Sequence, residues 1–327
     1  MSKHLKEFEL IARIERLAAK TGARVVESIG DDAAILRPSR GCDLVWATDA
    51  QVEDVHFRRA WMSPKDAGWR ALAVNLSDLA AMGAAPLGAL VSIAIPQSWS
   101  DAEVLALHRG VAACGKKFSC PLIGGNVSAA KGRALQVHVS VLGEVRRGRA
   151  LRRDAARAGE DLWVTGRIGV GGVSLDALSS GGTAARNYLK PAPPLEFAKA
   201  LAAKGLSRAA IDVSDGLLAD LAHVLEASGN IGAQIELAKV PVPAGLRTLQ
   251  KAGDPQSLAA ALNRGEDYQL LFSAPATKRA AVESLAGAAK VKAARIGALT
   301  KAPGITLLTR TGQLLAYTGP GGWQHRR

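Results

Sequence analysis

The period of the apolar positions changes along the chain, and each change marks an element. From Glu7 to Lys20, Phe8, Ile11, Ile14, Leu17 and Ala18 recur at helical spacing, and Thr21-Gly22 ends the run. Ile29-Gly30-Asp31-Asp32 reads as a turn before a short strand, Ala33 to Leu36. Leu44 to Thr48 predicts a strand that delivers Asp49 at its C-terminal end. Ser63-Pro64 predicts a helix start, with the hydroxyl as cap and proline's fixed φ in the first turn. Trp69, Leu72, Ala73, Leu76 and Leu79 carry that helix to near Gly83. Leu90 to Ile95 reads as a strand, and Ser100-Asp101-Ala102-Glu103 as a capping box opening the next helix. Leu122-Ile123-Gly124-Gly125-Asn126 reads as a short strand running into a glycine turn, and Leu135 to Val141 alternates as a strand.

The charged stretch from Arg146 to Glu160 reads as a crossover between two domains, 1–148 and 149–327. Beyond it the pattern predicts a strand at Asp161 to Val164, a glycine-rich turn from Gly166 to Gly172, a helix through Leu178 and a second from Pro194 to Lys204. Ala210 to Val213 predicts a strand, and Ser214-Asp215-Gly216 a turn that caps a helix through Glu226. Gly265-Glu266-Asp267 precedes a strand from Tyr268 to Phe272. A helix over 278–287 and strands near 292–297, 304–308 and 313–317 finish an α/β (α+β) chain.

Composition narrows the picture without changing it. A length of 327 residues matches about two domains, and 48% apolar residues exclude a disordered chain. Aromatics are only 4%, so Ala, Leu, Val and Ile must fill the core. No run reaches the ~18 apolar residues of a membrane helix, and Met1 to Glu7 lacks a signal-peptide core. A cytoplasmic protein is expected. Cys42, Cys114 and Cys120 form no CxxC pair, and Cys120 is read as a packed small hydrophobe rather than a reactive thiol. The net charge is +13, but its cations are dispersed and not interleaved with aromatic residues. Attraction of anionic substrates, or plain solubility, therefore explains it better than a nucleic-acid surface.

Acids at strand ends beside Gly, Ser or Thr are candidates for chemistry: Asp31-Asp32, Asp49 after Thr48, Asp212, Asp215 after Ser214, and Glu266-Asp267. Asp78 stands alone inside the apolar run Val74 to Met82, where a carboxylate needs a partner. Carboxylates converging at strand ends repel unless a cation joins them, and magnesium is the cation that takes oxygen ligands and shares phosphates. Each acid alone also fits a turn or cap, so spacing leaves both readings open. Gly124-Gly125 and the Gly166–Gly172 turn could cradle phosphate through backbone N–H groups, or be tight turns only. His56, in Val55-His56-Phe57, is singled out by its closeness to Asp49.

Several of these runs, taken together, resemble the thiamine-monophosphate kinase family. They are Ile29 to Ala34, Thr48-Asp49, Val55-His56-Phe57, Ala73 to Gly83, Ile123-Gly124-Gly125, Gly148 to Leu151, Ile211 to Leu217 and Gly265 to Tyr268, in order from about residue 7 to Trp323. The resemblance implies the two-domain fold of aminoimidazole-ribonucleotide synthetase. Its N-terminal ATP- and magnesium-binding domain would form a barrel-like homodimer core, and its C-terminal domain would complete the active-site cleft. It implies ATP-dependent phosphorylation of thiamine monophosphate to thiamine diphosphate. It implies magnesium at Asp32, Thr48, Asp49, Asp78, Asn126, Asp212 and Asp215. ATP would meet Gly125, Asn126, Arg153 and Ser214, and thiamine phosphate would meet His56, Glu266 and Trp323.

Two positions depart from the family pattern: Asn126 replaces the usual aspartate after the two glycines, and Ala47 replaces serine before Thr48. The expectation is an active enzyme with a raised magnesium requirement. The runners-up are a non-catalytic nucleotide-binding homologue and a sister enzyme of the same superfamily. No Cys precedes Cys42 and the last residues are Gln324 to Arg327, which fits neither selenophosphate synthetase nor the hydrogenase-maturation protein.

Overall fold

The computed structural model describes residues 5–18, 24–252, 254–309 and 311–317. Contacts divide the chain into two units. One is Met1–Leu79 with Ala85–Val145 and Leu189–Pro191; the other is Ala80–Ala84 with Arg146–Tyr188 and Ala192–Arg327.

The first stretch of chain forms α1 (Glu7–Leu17), β1 (Val25–Glu27), β2 (Ile35–Leu36), β3 (Cys42–Val52), α2 (Pro64–Ala81), β4 (Ala85–Pro96), α3 (Asp101–Phe118), β5 (Leu122–Ala130) and β6 (Gln136–Arg146). The Thr21-Gly22 stop predicted for α1 lies outside the described residues. Both predicted helix starts hold. Ser63 Oγ accepts from Asp66 N at the head of α2, and Ser100 and Glu103 cap α3 reciprocally. A four-stranded sheet runs in the order β3-β6-β4-β5. The crossover through α3 makes β4 and β5 parallel, while β6 is antiparallel to β4.

Period-two alternation sorts the faces of this sheet. Val91, Ile93, Val137, Val139 and Val141 are buried, as are Leu72, Leu76, Leu107 and Val111 of the two helices. Leu90 of β4 and Leu44 and Trp46 of β3 are exposed instead, Trp46 at 73%. Gly68 and Gly110 let α2 and α3 touch backbone to backbone: a Cβ on Gly68 would collide with Leu107 O, and one on Gly110 with Lys65 O.

Two expectations are corrected here. β3 continues to Val52, so Thr48 and Asp49 sit inside a strand rather than at its end. Gly124-Gly125 is no turn either, because β5 runs unbroken to Ala130 beside β4. A Cβ on Gly125 would collide with Val91 O, so this glycine marks close approach of two strands.

The rest of the chain supplies β7 (Asp161–Thr165), α4 (Val170–Ser179), α5 (Arg186–Leu189), α6 (Leu195–Ala203), β8 (Ala209–Asp212), α7 (Leu217–Ala227), β9 (Gly232–Glu236), α8 (Ala244–Ala252), α9 (Pro255–Leu262), β10 (Leu270–Ala274), α10 (Arg279–Ala288), β11 (Ala293–Thr300), β12 (Gly304–Leu308) and β13 (Leu314–Ala316). Their strands form one sheet, β13-β12-β9-β11-β7-β10-β8. Leu162, Val164, Ile211, Leu271 and Ile296 pack in one core with Leu217, Leu221 and Leu258. β9, α8 and α9 have no counterpart in the sequence reading. Among the described residues no helix is long and apolar enough to cross a membrane. Cys114 and Cys120 are buried free thiols, and burial pushes Cys120 up to about 12, which keeps it an inert packed group.

Candidate functional site

In the second unit three segments converge at one end of the sheet. β8 ends on Asp212, and the loop Val213–Gly216 leads into α7. Beside it the segment before β10 pairs by backbone: Glu266 N donates to Ser214 O (2.8 Å) and Tyr268 N to Val213 O (2.8 Å). Glu266 adopts φ +67°, and Gly265 at φ +71° has no room for a Cβ against Ser214 O. Asp212, Ser214, Asp215 and Glu266, named separately from the sequence, thus belong to one loop cluster.

The sequence reading made Ser214-Asp215-Gly216 the cap of α7, and the structure corrects this. The N-cap is Gly216, without a side-chain bond. Asn263 Oδ1 takes the helix amides instead, from Leu218 N (3.1 Å) and Ala219 N (2.9 Å). The loop is held from the other side by Asp220, whose Oδ2 accepts from Ser214 N (3.0 Å), Asp215 N (3.1 Å) and Gly216 N (3.1 Å). With caps supplied elsewhere, the side chains of Ser214 and Asp215 have no hydrogen-bond partner among the described residues. Burial, together with the charges of Asp212 and Asp215, pushes the Asp220 carboxyl up to about 7 against those amides. Three carboxylates therefore crowd one loop. Neither Asp220 nor Asn263 was singled out from the sequence. The signal for Asp220 was the one that flagged Asp78, a carboxylate inside an apolar helical run, Leu217 to Leu221.

The Gly166–Gly172 turn is not open to a phosphate. Asp267, buried, accepts from Gly169 N (2.7 Å) and Gly171 N (3.0 Å) at the head of α4. Its own carboxylate fills the cradle that the sequence offered to a ligand. Burial raises Asp267 to about 6, opposed by the amides of Gly169, Gly171 and Val170.

Arg153 sits on a single 3₁₀ turn, Arg153–Ala155. The neighbouring Arg152 N bonds to Arg208 O (2.9 Å), at the start of β8. No hydrogen bond or ion pair joins the Arg153 side chain to the Asp212–Asp215 loop among the described residues. Trp323 lies outside the described residues.

In the first unit, Asn75 ties α2 to the edge of the sheet. Its Oδ1 accepts from Asp49 N (2.8 Å) and its Nδ2 donates to Ala71 O (2.9 Å). Asp78, half-buried, follows one turn later on the same helix face. Thr48 Oγ1 donates to Val139 O (3.0 Å) and accepts from Ser140 Oγ (3.0 Å). In the turn before β2, Asp32 N donates to Asp31 Oδ1 (2.7 Å). Asp31 is thus engaged within the turn, while the exposed Asp32 carboxylate has no partner among the described residues. His56 Nδ1 accepts from Val52 N (3.1 Å), which places the ring proton on Nε2.

Register separates two of the expected ligands. Ser140 lies opposite Leu90 and Leu90 opposite Gly124, so Thr48 and Gly124 stand in one row, three strand spacings or roughly 14 Å apart. Asn126 lies two residues along from Gly124, on the same open face. Among the described residues no three His, Cys, Asp or Glu side chains form a group that could hold a metal ion. The donors present are nonetheless carboxylate, hydroxyl and amide oxygens. Such a set fits magnesium held by one or two carboxylates with water and phosphate oxygens, and not a closed protein cage.

The comparisons with known proteins agree with this architecture. Residues 30–145 match the AIR synthase related protein N-terminal domain, and residues 157–309 its C-terminal domain. The thiamine-monophosphate kinase of Bacillus subtilis (strain 168) is 34% identical over 277 residues, 81% of this chain and 82% of that protein. The crystal structure of thiamine-monophosphate kinase from Stenotrophomonas maltophilia K279a superposes with a TM-score of 0.81 at 35% identity, covering 93% of this chain and 96% of that one. AaThiL complexed with AMPPCP and TMP gives 0.73 at 27% identity, over 98% and 97% of the two chains. Over this extent and identity, the chain belongs to the thiamine-monophosphate kinase family of AIR synthase related proteins.

Proposed function

We propose that the chain transfers the γ-phosphoryl group of ATP to the phosphate of thiamine monophosphate, giving thiamine diphosphate and ADP. The observation that carries this reading is the Ser214–Gly216 loop. It is held rigid by Asp220 while the side chains of Ser214 and Asp215 stay uncommitted beside Asp212. The ligands of AaThiL, an ATP analogue and TMP, are those this reaction needs.

The acceptor is already an anionic phosphate oxygen, so no strong base has to generate the nucleophile. The work left to the protein is to align two anions and offset their repulsion. In this reading Asp32, Thr48, Asp49, Asp78, Asn126, Asp212 and Asp215 hold magnesium. Gly125, Asn126, Arg153 and Ser214 bind ATP, and His56, Glu266 and Trp323 hold the thiamine phosphate. Magnesium, when bound, would neutralise the charge that builds during transfer. Glu266, kept in a left-handed backbone beside Ser214, offers a carboxylate to the cationic thiazolium ring.

The protein would work as a homodimer through the open face of the four-stranded sheet. Leu44, Trp46 and Leu90 are exposed together there, an apolar patch of the kind that marks an interaction surface. The wide separation of Thr48 and Asn126 within one protomer also favours a second copy packed on that face.

A coupled assay of ADP release with ATP, magnesium and thiamine monophosphate tests the reaction. Turnover that depends on thiamine monophosphate and collapses at least ~100-fold in Asp215→Asn is expected. Nucleotide binding without any thiamine-dependent ADP would instead identify a non-catalytic homologue.

A further inference from the structure

The second unit carries a cavity of about 520 Å³ bordered by Arg149, Arg152, Lys204, Arg208 and Lys278, and by no Asp or Glu. Arg208 precedes β8 and Lys278 follows β10. In the register of those strands Ala209 faces Ser273 at this end, and Asp212 faces Leu270 at the other. The cavity and the Asp212–Asp215 loop are therefore at opposite ends of β8, about 10 Å apart along the strand.

Several contacts shape this hollow. Gly205, at φ +60°, makes room for Arg149: a Cβ there would lie 2.7 Å from Arg149 Nη1. Lys278 Nζ donates to Gly205 O (2.5 Å), and Arg152 N to Arg208 O (2.9 Å). The end of α6 opens toward the same place, and its carbonyls would normally disfavour an anion. They are already occupied: Lys204 N donates to Ala200 O, Leu206 N to Leu201 O and Gly205 N to Ala202 O. Asp154 neutralises Arg152 through a 2.8 Å bond to its Nε. Arg149, Lys204 and Arg208 have no ion-pair partner among the described residues. With Lys278 they leave four positive charges around one space, and an anion of several charges relieves their mutual repulsion.

We propose that this cavity is a second, non-catalytic site for a compact polyphosphate anion. The lining has no aromatic ring on which a base could stack, and its apolar part is alanine and glycine. A thiamine compound is disfavoured because its thiazolium cation would enter a positive field. The phosphate chain is what the site reads, whether free or carried by a nucleotide.

Calorimetric titration of inorganic tripolyphosphate into the full-length protein tests this, with AMPPCP saturating the nucleotide site and low ionic strength throughout. One equivalent is expected to bind. Affinity should fall at least ~10-fold in the Lys204→Ala/Arg208→Ala double variant, both positions being exposed, and likewise in Arg149→Ala. A second titration with ATP separates the sources: affinity equal to tripolyphosphate fits a site that reads phosphate alone. ATP binding more than ~10-fold tighter overturns the assigned ligand class. No heat in the wild type, or binding unchanged in both variants, overturns the site itself. Because the readout is binding, a chain unable to phosphorylate thiamine monophosphate would still give the expected result.

Discussion

Asp267 is the residue where position and charge conflict most usefully. It is buried at the head of α4, and its carboxyl is raised to about 6 from an ordinary value of about 4. A raised acid pKa means the folded state holds the proton more tightly than the unfolded chain. Asp267 therefore favours the fold most below pH ~4, and that advantage is lost as pH rises to about 6 and stays lost above. Urea unfolding of the wild type and Asp267→Asn from pH 4 to 7 should show the stability difference shifting against the wild type by on the order of 2 kcal/mol. A difference that is flat over that range would refute the assignment. Asn126 makes a second prediction at this scale. It offers a carbonyl oxygen without charge on the open sheet face, so Asn126→Asp should lower the magnesium concentration for half-maximal ADP release severalfold. If magnesium dependence is unchanged, Asn126 is no part of a metal site. The sequence singled out Asp212, Asp215 and Glu266 because acids at strand ends and in Gly- or Ser-bearing turns are visible in a linear chain, and Ser214 through the family pattern around it. It could not identify Asn263 as the cap of α7, because that bond spans 45 residues. For the same reason it offered the Gly166–Gly172 amides to a ligand, when Asp267 reaches them from 96 residues away.

At the scale of elements, α2 and α3 cross where each has a glycine. A methyl at Gly68 would strike Leu107 O and one at Gly110 would strike Lys65 O, so each glycine answers to the backbone of the other helix. Gly→Ala normally gains up to about 1 kcal/mol within a helix. Here the collision should reverse that sign, with Gly68→Ala and Gly110→Ala each costing about 2 kcal/mol in denaturant unfolding. Once one methyl has separated the helices the second has less to displace, so the double variant should cost clearly less than the sum. Stabilisation by either single change would show that the helices do not touch. The helices were legible because their signals are local: Ser63-Pro64 and Ser100 to Glu103 mark both starts within four residues. Strand ends were less legible. β3 passes through Thr48 and Asp49 because its ladder is set by β6, and Gly125 reads as a turn until β4 is seen lying against it. β9 escaped notice because Gly232 to Glu236 is short and gains its strand character from β11 and β12 on either side.

For the whole molecule, the two faces of the four-stranded sheet behave differently. The inner one is closed by α2 and α3, while the outer one leaves Trp46 73% exposed with Leu44 two residues before it on β3 and Leu90 on β4. Thr48 and Asn126 share that open face but stand too far apart within one protomer to grip one phosphate group. A second copy covering the face would bury the apolar residues, and it would also crowd the polar ones into a closed space. Because Trp46 is 73% exposed in the protomer, Trp46→Glu should fold normally, with the same circular dichroism and melting behaviour as an isolated subunit. In the proposed dimer, sedimentation equilibrium should show the dissociation constant rising at least ~100-fold, since the variant would remove an aromatic side chain from the contact and place a charge there. Thiamine-dependent ADP release should fall with the dimer fraction and recover as protein concentration is raised. A dimer of unchanged affinity would place the interface elsewhere, and a monomer of full activity would show that each protomer completes its own site.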